Sequence, residues 1–412
     1  MGLETQVLLL ADASRLPADA AAALVQARQA GVPVQAWSGG VMEAMDLNID
    51  ALLGLGAARA PEGAIAQAVA AINEQPGPVL AVDMPTGLHP DTGALLGSEA
   101  VHASATLSLL NLKPGCFTLH GRDHCGEIWL SPLGHDAFEG SSRLSSAPPP
   151  RARIHATHKG SYGDVAVVAG AAGMTGAAWL AGSAALAAGA GRVYVSLLDL
   201  QLQVQQPARP ELMTRRAWWT STPAVLSSAT VVAGCGGGQA VASTLPALLA
   251  HAGRLVLDAD ALNAVSNDAA LLAQLQHRRG PTLLTPHPLE AARLLSCSAA
   301  QIQADRLAAA REVARLTGAA VLLKGSGTVL TCPTGQTVIN PSGNAALATA
   351  GTGDVLAGWC AGLWAGLPSA SALDVAVQGA WQQGDAADRF AALNPQQPLR
   401  ASDLIEWLAH AG

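Results

Sequence analysis

Short apolar runs alternate with alanine-rich stretches of helical length along most of this chain. Strand patterns fall at 7–11, 33–37, 49–53, 78–82 and 105–110, with helical patterns at 17–30 and 62–73. A second series begins beyond residue 160, with strands at 164–169, 193–197, 230–233, 254–257, 282–285 and 319–323. Strands spaced by helix-length segments predict βαβ units and therefore parallel sheets. No repeat of fixed period accompanies them.

Between the two series the pattern breaks. The segment SSRLSSAPPPRARIHA at 141–156 carries serines, three consecutive prolines and three arginines, after a strand-like GEIWLSPLG. Proline runs favour extended backbone and resist helix or central strand. The expectation is a linker at 141–156 between a domain at 1–140 and a domain at 157–412, each of single-domain size. Two long uncharged stretches, 165–191 and 355–373, approach the length of a membrane span. Six glycines in the first, and Pro368 with three glycines in the second, dilute the hydropathy. Both read as buried elements of a soluble protein, and no membrane partner is expected.

Composition changes the picture in three places. Half of the 412 residues are hydrophobic and only 13% are charged, which excludes disorder and supplies cores for two or three α/β domains. The net charge of −7, with no basic cluster, argues against a nucleic-acid partner. Six cysteines form no CxxC pair, zinc spacing or dense framework, and no secretory signal is visible in the first 20 residues. Reduced thiols and a cytoplasmic location are the expectation. One oddity remains: of 23 cationic residues only Lys113, Lys159 and Lys324 are lysines. Codon bias explains their number, and only chemical context would give their positions meaning.

The candidate chemistry lies in the second series. Gly351-Thr352-Gly353-Asp354 opens an apolar helical stretch, and the free N–H groups of a glycine-rich helix start form an anion site. Asp354 there is either a helix cap or a general base beside transferring phosphate. Lys324-Gly325-Ser326-Gly327-Thr328 follows the strand at 319–323, at the sheet edge where open α/β sheets bind ligands. Two more strands end in polar groups, RLVLD before Asp260 and Asn263, and TLLT before His287 and Glu290. His158-Lys159-Gly160 precedes a further strand, and Gly170 to Gly176 form a glycine turn before a helix. Neither a dinucleotide fingerprint nor a Walker A motif is present.

HKGSYG, TGAA, ARPELM (208–213), the glycine cluster at 234–238, DADALN, TPHP, KGSGT and AGTGD stand in the order found in ADP-dependent NAD(P)H-hydrate dehydratases. Residues 155–410 resemble that family, which implies a ribokinase-like α/β fold. It also implies as substrates the hydrates of NADH and NADPH (NADHX and NADPHX), with ADP as phosphoryl donor and Mg2+ as cofactor. Asp354 would then activate the hydrate hydroxyl, with Gly351, Thr352 and Gly353 as anion hole. Lys324, Gly325, Ser326, Gly327, Thr328 and Gly353 would hold ADP or AMP, and Ala177, Gly236, His287 and Asp354 the hydrate.

The first domain resembles the NAD(P)H-hydrate epimerase fused to such dehydratases in bacterial bifunctional repair enzymes. The resemblance rests on Asn48-Ile-Asp50-Ala-Leu-Leu-Gly54-Leu-Gly56, Val82-Asp83-Met-Pro85-Thr86-Gly87, Asp91-Thr-Gly93 and Leu112-Lys113-Pro-Gly115. It implies a Rossmann-like parallel sheet, Asp50 and Thr86 as potassium ligands, and Asp83 facing the substrate. The family's HPGE reads His287-Pro-Leu289-Glu290, and its GPGLG reads Gly234-Cys-Gly-Gly-Gly238. The epimerase's Asn-Asn-Gly-Gly-Asp-Gly loop has no counterpart, since Met1 begins after its place. A true truncation and a start codon set too late would look alike. The expectation is an incomplete first domain, degenerate or with residual epimerisation of the R and S hydrates, supporting a lyase and assembling as a homo-oligomer. A ribokinase-fold kinase of a small hydroxylated metabolite and a non-catalytic nucleotide-binding scaffold are the alternatives.

Overall fold

The computed structural model describes residues 4–136, 140–150, 152–201 and 209–410. Met1, Arg151 of the expected linker and Ala208 of the ARPELM motif lie outside them. The chain forms two compact units, Met1–Cys116 with His120–Phe138, and Phe117–Leu119 with Glu139–Gly412.

In the first unit the strands are β1 (Val7–Leu9), β2 (Val34–Ala36), β3 (Asn48–Asp50), β4 (Val79–Val82), β5 (Ala105–Leu109) and β6 (Glu127–Ser131). All pairings are parallel, as the helix-spaced pattern predicts. They nevertheless form two sheets, β1-β2 and β3-β4-β5-β6. Helix α1 (Ala18–Gln29) buries no residue, whereas helix α2 (Gly63–Asn73) packs Val69 and Ile72 against Val79 and Val101.

The second unit is built on one ten-stranded sheet. Its strands are β7 (Arg143–Leu144), β8 (Asp164–Ala169), β9 (Arg192–Leu197), β10 (Met213–Thr214), β11 (Thr230–Ala233), β12 (Arg254–Leu257), β13 (Thr282–Leu284), β14 (Ala320–Leu323), β15 (Thr328–Thr331) and β16 (Thr337–Asn340). The order is β10-β9-β8-β11-β12-β13-β14-β15-β16-β7. Neighbours from β10 to β14 are parallel, and β15 is antiparallel to both β14 and β16. The pair β15 and β16 has no counterpart among the six predicted strands. TVLT and TVIN flank Pro-Thr-Gly, a hairpin signal hidden by the shortness of its arms. Within the segment expected as linker, Arg143 and Leu144 pair with Val338 and Ile339.

Both faces of the sheet are covered, which explains the unbroken apolar runs. Val165, Val167 and Ala169 of β8 enter one core, and Ala166 and Val168 enter the other. The two uncharged stretches become strand β8 and the helices α3 (Thr175–Ala187) and α4 (Thr352–Gly366) in the first of these cores. Those helices meet backbone to backbone. A Cβ on Gly358 would stand 2.0 Å from the Ala181 carbonyl oxygen, and one on Gly362 2.3 Å from that of Ala185. Among the described residues no helix is long and apolar enough to cross a membrane.

Candidate active site

Five adjacent strands of the large sheet end at one edge, and each delivers a residue to it. Gly170 follows β8, Gly234 and Cys235 follow β11, Asp258 follows β12, Thr285 follows β13 and Lys324 follows β14. Chain order reverses between β8 and β11. Open α/β sheets bind ligands at such a point, outside the carboxyl ends of the strands.

A chain of charges crosses this edge. Lys324 Nζ lies 2.7 Å from Asp258 Oδ1 and 4.0 Å from Glu290 Oε2. The Thr285 hydroxyl also donates to Asp258 Oδ1, at 2.7 Å. Burial works against the lysine's charge, but Asp258 and Glu290 outweigh it and hold Lys324 above its ordinary pKa. Burial likewise pushes Glu290 up. The hydrogen bonds from His287 and the charge of Lys324 prevail and keep it below the usual range.

Asp354 is the third residue of α4, whose N-cap is Gly351 in a left-handed conformation, φ 91°. The cap reading of Asp354 therefore gives way to a carboxylate beside other acids. Its pKa is raised to about 6, by burial first and then by Asp258, while the neighbouring Cys235 thiol and the charge of Lys324 moderate the rise. Cys235 Sγ and the carboxylate oxygens of Asp258 and Asp354 all lie within 4.8 Å of one another. Burial and these two acids push the Cys235 thiol far up, so it stays protonated as a donor.

The other residues expected at the site gather around this cluster. A Cβ on Gly353 would stand 3.2 Å from Lys324 Nζ, so the start of α4 meets the Lys324–Thr328 loop. Gly325 (φ 141°) and Gly327 (φ 64°) give that loop a path closed to ordinary residues. Thr328 Oγ1 donates to the Gly325 carbonyl at 3.3 Å, and Ser326 Oγ to that of Leu119 at 2.9 Å. Gly236 is pressed on Met174 and Ala177, where a Cβ would lie 2.9 Å from that of Ala177. His287 caps helix α5 (Pro288–Leu294): its Nδ1 accepts from the Leu289 amide at 3.1 Å, and its Nε2 is 3.0 Å from Glu290. Of the expected anion hole, Thr352 is already engaged. Its hydroxyl donates to the Leu347 and Thr349 carbonyls at 2.8 and 2.9 Å, and its amide makes a long 3.4 Å bond to Thr349.

Sequence reading passed over Asp258, Cys235 and Thr285 as site residues. The available signal was position, since Asp258 directly follows a predicted strand, Thr285 closes one and Cys235 stands two residues after one.

The first unit holds a smaller constellation of the same kind. Asp83 directly follows β4, in a left-handed conformation (φ 72°) that a non-glycine residue adopts only under constraint. It is ion-paired with the buried Lys113 and accepts from the Leu55 amide at 3.2 Å. Asp50 and Thr86 are together and buried. The Thr86 amide and hydroxyl donate to the two Asp50 oxygens at 2.7 and 2.8 Å. Burial, ahead of these bonds, raises the Asp50 pKa.

Comparison with known proteins follows the same division. The family profile described as NAD(P)H-hydrate dehydratase matches residues 165–409, and that described as YjeF-related protein N-terminus matches residues 1–115. The chain is 35% identical to the bifunctional NAD(P)H-hydrate repair enzyme Nnr of Escherichia coli (strain K12), over 99% of this chain and 79% of that protein. It is 43% identical to the ADP-dependent (S)-NAD(P)H-hydrate dehydratase of Neisseria meningitidis serogroup B, over 58% of this chain and 80% of that protein. Among solved structures it is similar to the ADP/ATP-dependent NAD(P)H-hydrate dehydratase of Bacillus subtilis, co-crystallised with ATP/Mg2+. The identity is 28% and the TM-score 0.53, covering 65% of this chain and 93% of that one.

Proposed function

Because this chain belongs to the bifunctional NAD(P)H-hydrate repair enzymes, and its second unit to their ribokinase-like dehydratases, we propose that Asp354 is the general base of an ADP-dependent dehydration. The chain is a lyase of nicotinamide-nucleotide repair, acting on the 6S hydrate. Hydroxide is a poor leaving group, so the hydroxyl on the reduced nicotinamide ring must first be converted. Asp354 takes its proton, and the freed oxygen attacks the β-phosphorus of ADP, expelling AMP. The phosphate ester then loses phosphate together with a neighbouring ring proton, which restores the ring double bond. One observation carries the assignment. A carboxylate with pKa about 6 stands at a helix start beside Lys324, mostly deprotonated at neutral pH yet basic enough to accept a proton.

The Gly351 and Gly353 backbone would stabilise the transferring phosphoryl group, helped by the dipole of α4. Lys324, held charged by Asp258 and Glu290, would draw the nucleotide's phosphates onto its loop, and Ala177, Gly236 and His287 would line the hydrate side. Magnesium would neutralise phosphate charge when bound. The Cys235, Asp258 and Asp354 group does not fit that ion, because a protonated thiol is a poor ligand for it and Lys324 already occupies Asp258. The nucleotide's own oxygens are the better donors. In the first unit, Asp50 and Thr86 offer hard oxygens to a potassium ion, and Asp83 with Lys113 an acid and base pair to a hydrate awaiting epimerisation.

The test is the product. Purified chain, hydrate, ADP and Mg2+ should regenerate NAD(P)H absorbance with AMP and free phosphate. A stable phosphate ester instead would mark a kinase. Asp354→Asn should lower kcat by at least about 10²-fold with the fold intact, and near wild-type turnover would remove Asp354 from that role.

A further inference from the structure

Helix α6 (Arg306–Thr317) begins with a fully buried arginine. Its guanidinium lies behind the Lys324–Thr328 loop. One terminal nitrogen donates to the carbonyl oxygens of Leu323, Lys324 and Gly327 at 3.2, 3.2 and 3.3 Å, and the other to Gln303 Oε1 at 2.6 Å. A Cβ on Gly325 would lie 2.8 Å from both nitrogens, so the loop is wrapped directly onto the guanidinium. Every partner is neutral. Among the described residues no ion pair involves Arg306, and its Nε is buried without a hydrogen-bond partner.

Such a placement is costly twice over. A buried cation without a counter-charge is strongly unfavourable. This one also sits at a helix N-terminus, the positive end of the dipole. A leucine would fill the volume without either cost, so packing alone does not account for it. What only an arginine does here is clamp three carbonyls of one tight loop and leave a net positive charge behind it.

We propose that Arg306 is a positioning residue for nucleotide binding: it fixes the Lys324–Thr328 loop through its carbonyls, and its uncompensated charge is matched by the phosphates of the bound nucleoside diphosphate. This rests on the reading of that loop as the nucleotide site. By bonding the Lys324 carbonyl, Arg306 also sets the direction from which Lys324 Nζ reaches Asp258 and the start of α4.

The experiment compares wild type, Arg306→Lys, Arg306→Met and the milder Gln303→Leu, which leaves the arginine but removes its anchor. Calorimetry measures ADP and adenosine binding, and steady-state assays give kcat and KM for ADP and for the hydrate. The expectation for Arg306→Met is an ADP KM and Kd raised at least about tenfold, the scale of one charge-assisted hydrogen bond. Adenosine affinity should fall less, and the hydrate KM should stay within about twofold of wild type. Arg306→Lys, keeping charge without the fork, should fall between, and Gln303→Leu should show a smaller rise in the ADP KM. Should Arg306→Met fail to fold, the other two variants carry the test. Unchanged ADP affinity in Arg306→Lys and Gln303→Leu overturns the proposal, as does a fall in kcat with the ADP KM constant. A wild-type chain that turns over hydrate with ADP but shows no loss on Lys324→Ala would instead overturn the loop assignment itself.

Discussion

At Asp354 the physical cost and the chemical use of one carboxylate separate with pH. Its folded-state pKa of about 6 exceeds the ordinary 3.8, so the folded protein binds this proton more tightly than the unfolded chain does. Stability is therefore lost as pH rises from about 4 to about 6, and the full penalty, at most about 3 kcal/mol, is present above that. Asp354→Asn should accordingly raise Tm at pH 7.5 and leave it nearly unchanged at pH 4, which paired thermal melts would check. In the same wild-type protein, the acid limb of kcat/KM should fall near pH 6 rather than near 4. A variant that loses activity while gaining stability is the pattern expected where a site is strained for function. Asp354 was legible in the sequence because GTGD opens an apolar helix. Asp258 was not, since a strand followed by one acid is common. Only the approach of Lys324, 66 positions further along, gives that acid its meaning. Arg306 was invisible for the opposite reason, because in sequence it is one arginine at an ordinary helix start.

Helices α3 and α4 show what a composition reading can and cannot extract. Gly358 and Gly362, four apart, put two gaps on one face of α4, and Ala181 and Ala185 of α3 fill them with carbonyl groups. The uncharged stretches were legible as buried elements, yet their pairing with each other was not, because contact between positions so far apart leaves no periodic trace. The packing fixes where Asp354 stands, one turn from Gly358 on the same helix. Replacing Gly358 with Ala should force the helices apart and cost at least about 2 kcal/mol in urea unfolding. The same variant should lower kcat more than it raises the hydrate KM, since the carboxylate moves with its helix. An equally stable, fully active Gly358→Ala would show that the contact relaxes freely. The split of the first unit's sheet was equally illegible. Five parallel strands fitted one Rossmann-like sheet, and nothing in their apolar pattern marks the break between β2 and β3.

For the whole molecule, two compact units make a single melting temperature an incomplete description. A ligand that binds only folded protein stabilises by about 2.7 kcal/mol at a hundredfold excess over its Kd. Scanning calorimetry with ADP should therefore move the transition of the second unit upward and leave that of the first where it was. One cooperative peak shifting as a whole would contradict that independence. The scarce lysines also take on a pattern at this scale. Lys113 meets Asp83 just after β4, and Lys324 meets Asp258 just after β12, so each unit places a lysine on an acid at the end of a parallel strand.

The strand β7 has a practical side. Arg143 and Leu144 close the far side of the ten-stranded sheet, and Ser145 adds an amide bond of 2.9 Å to Ile339 and a hydroxyl bond of 2.8 Å to Asn340. Without them β16 would present a row of unpaired backbone groups, the usual template for intermolecular pairing. A shortened protein beginning at His158 would keep Asp258, Lys324 and Asp354, though not the Leu119 carbonyl that holds Ser326, and should be prone to aggregate. One beginning at Gly140 should remain monodisperse under the same conditions, as light scattering would show.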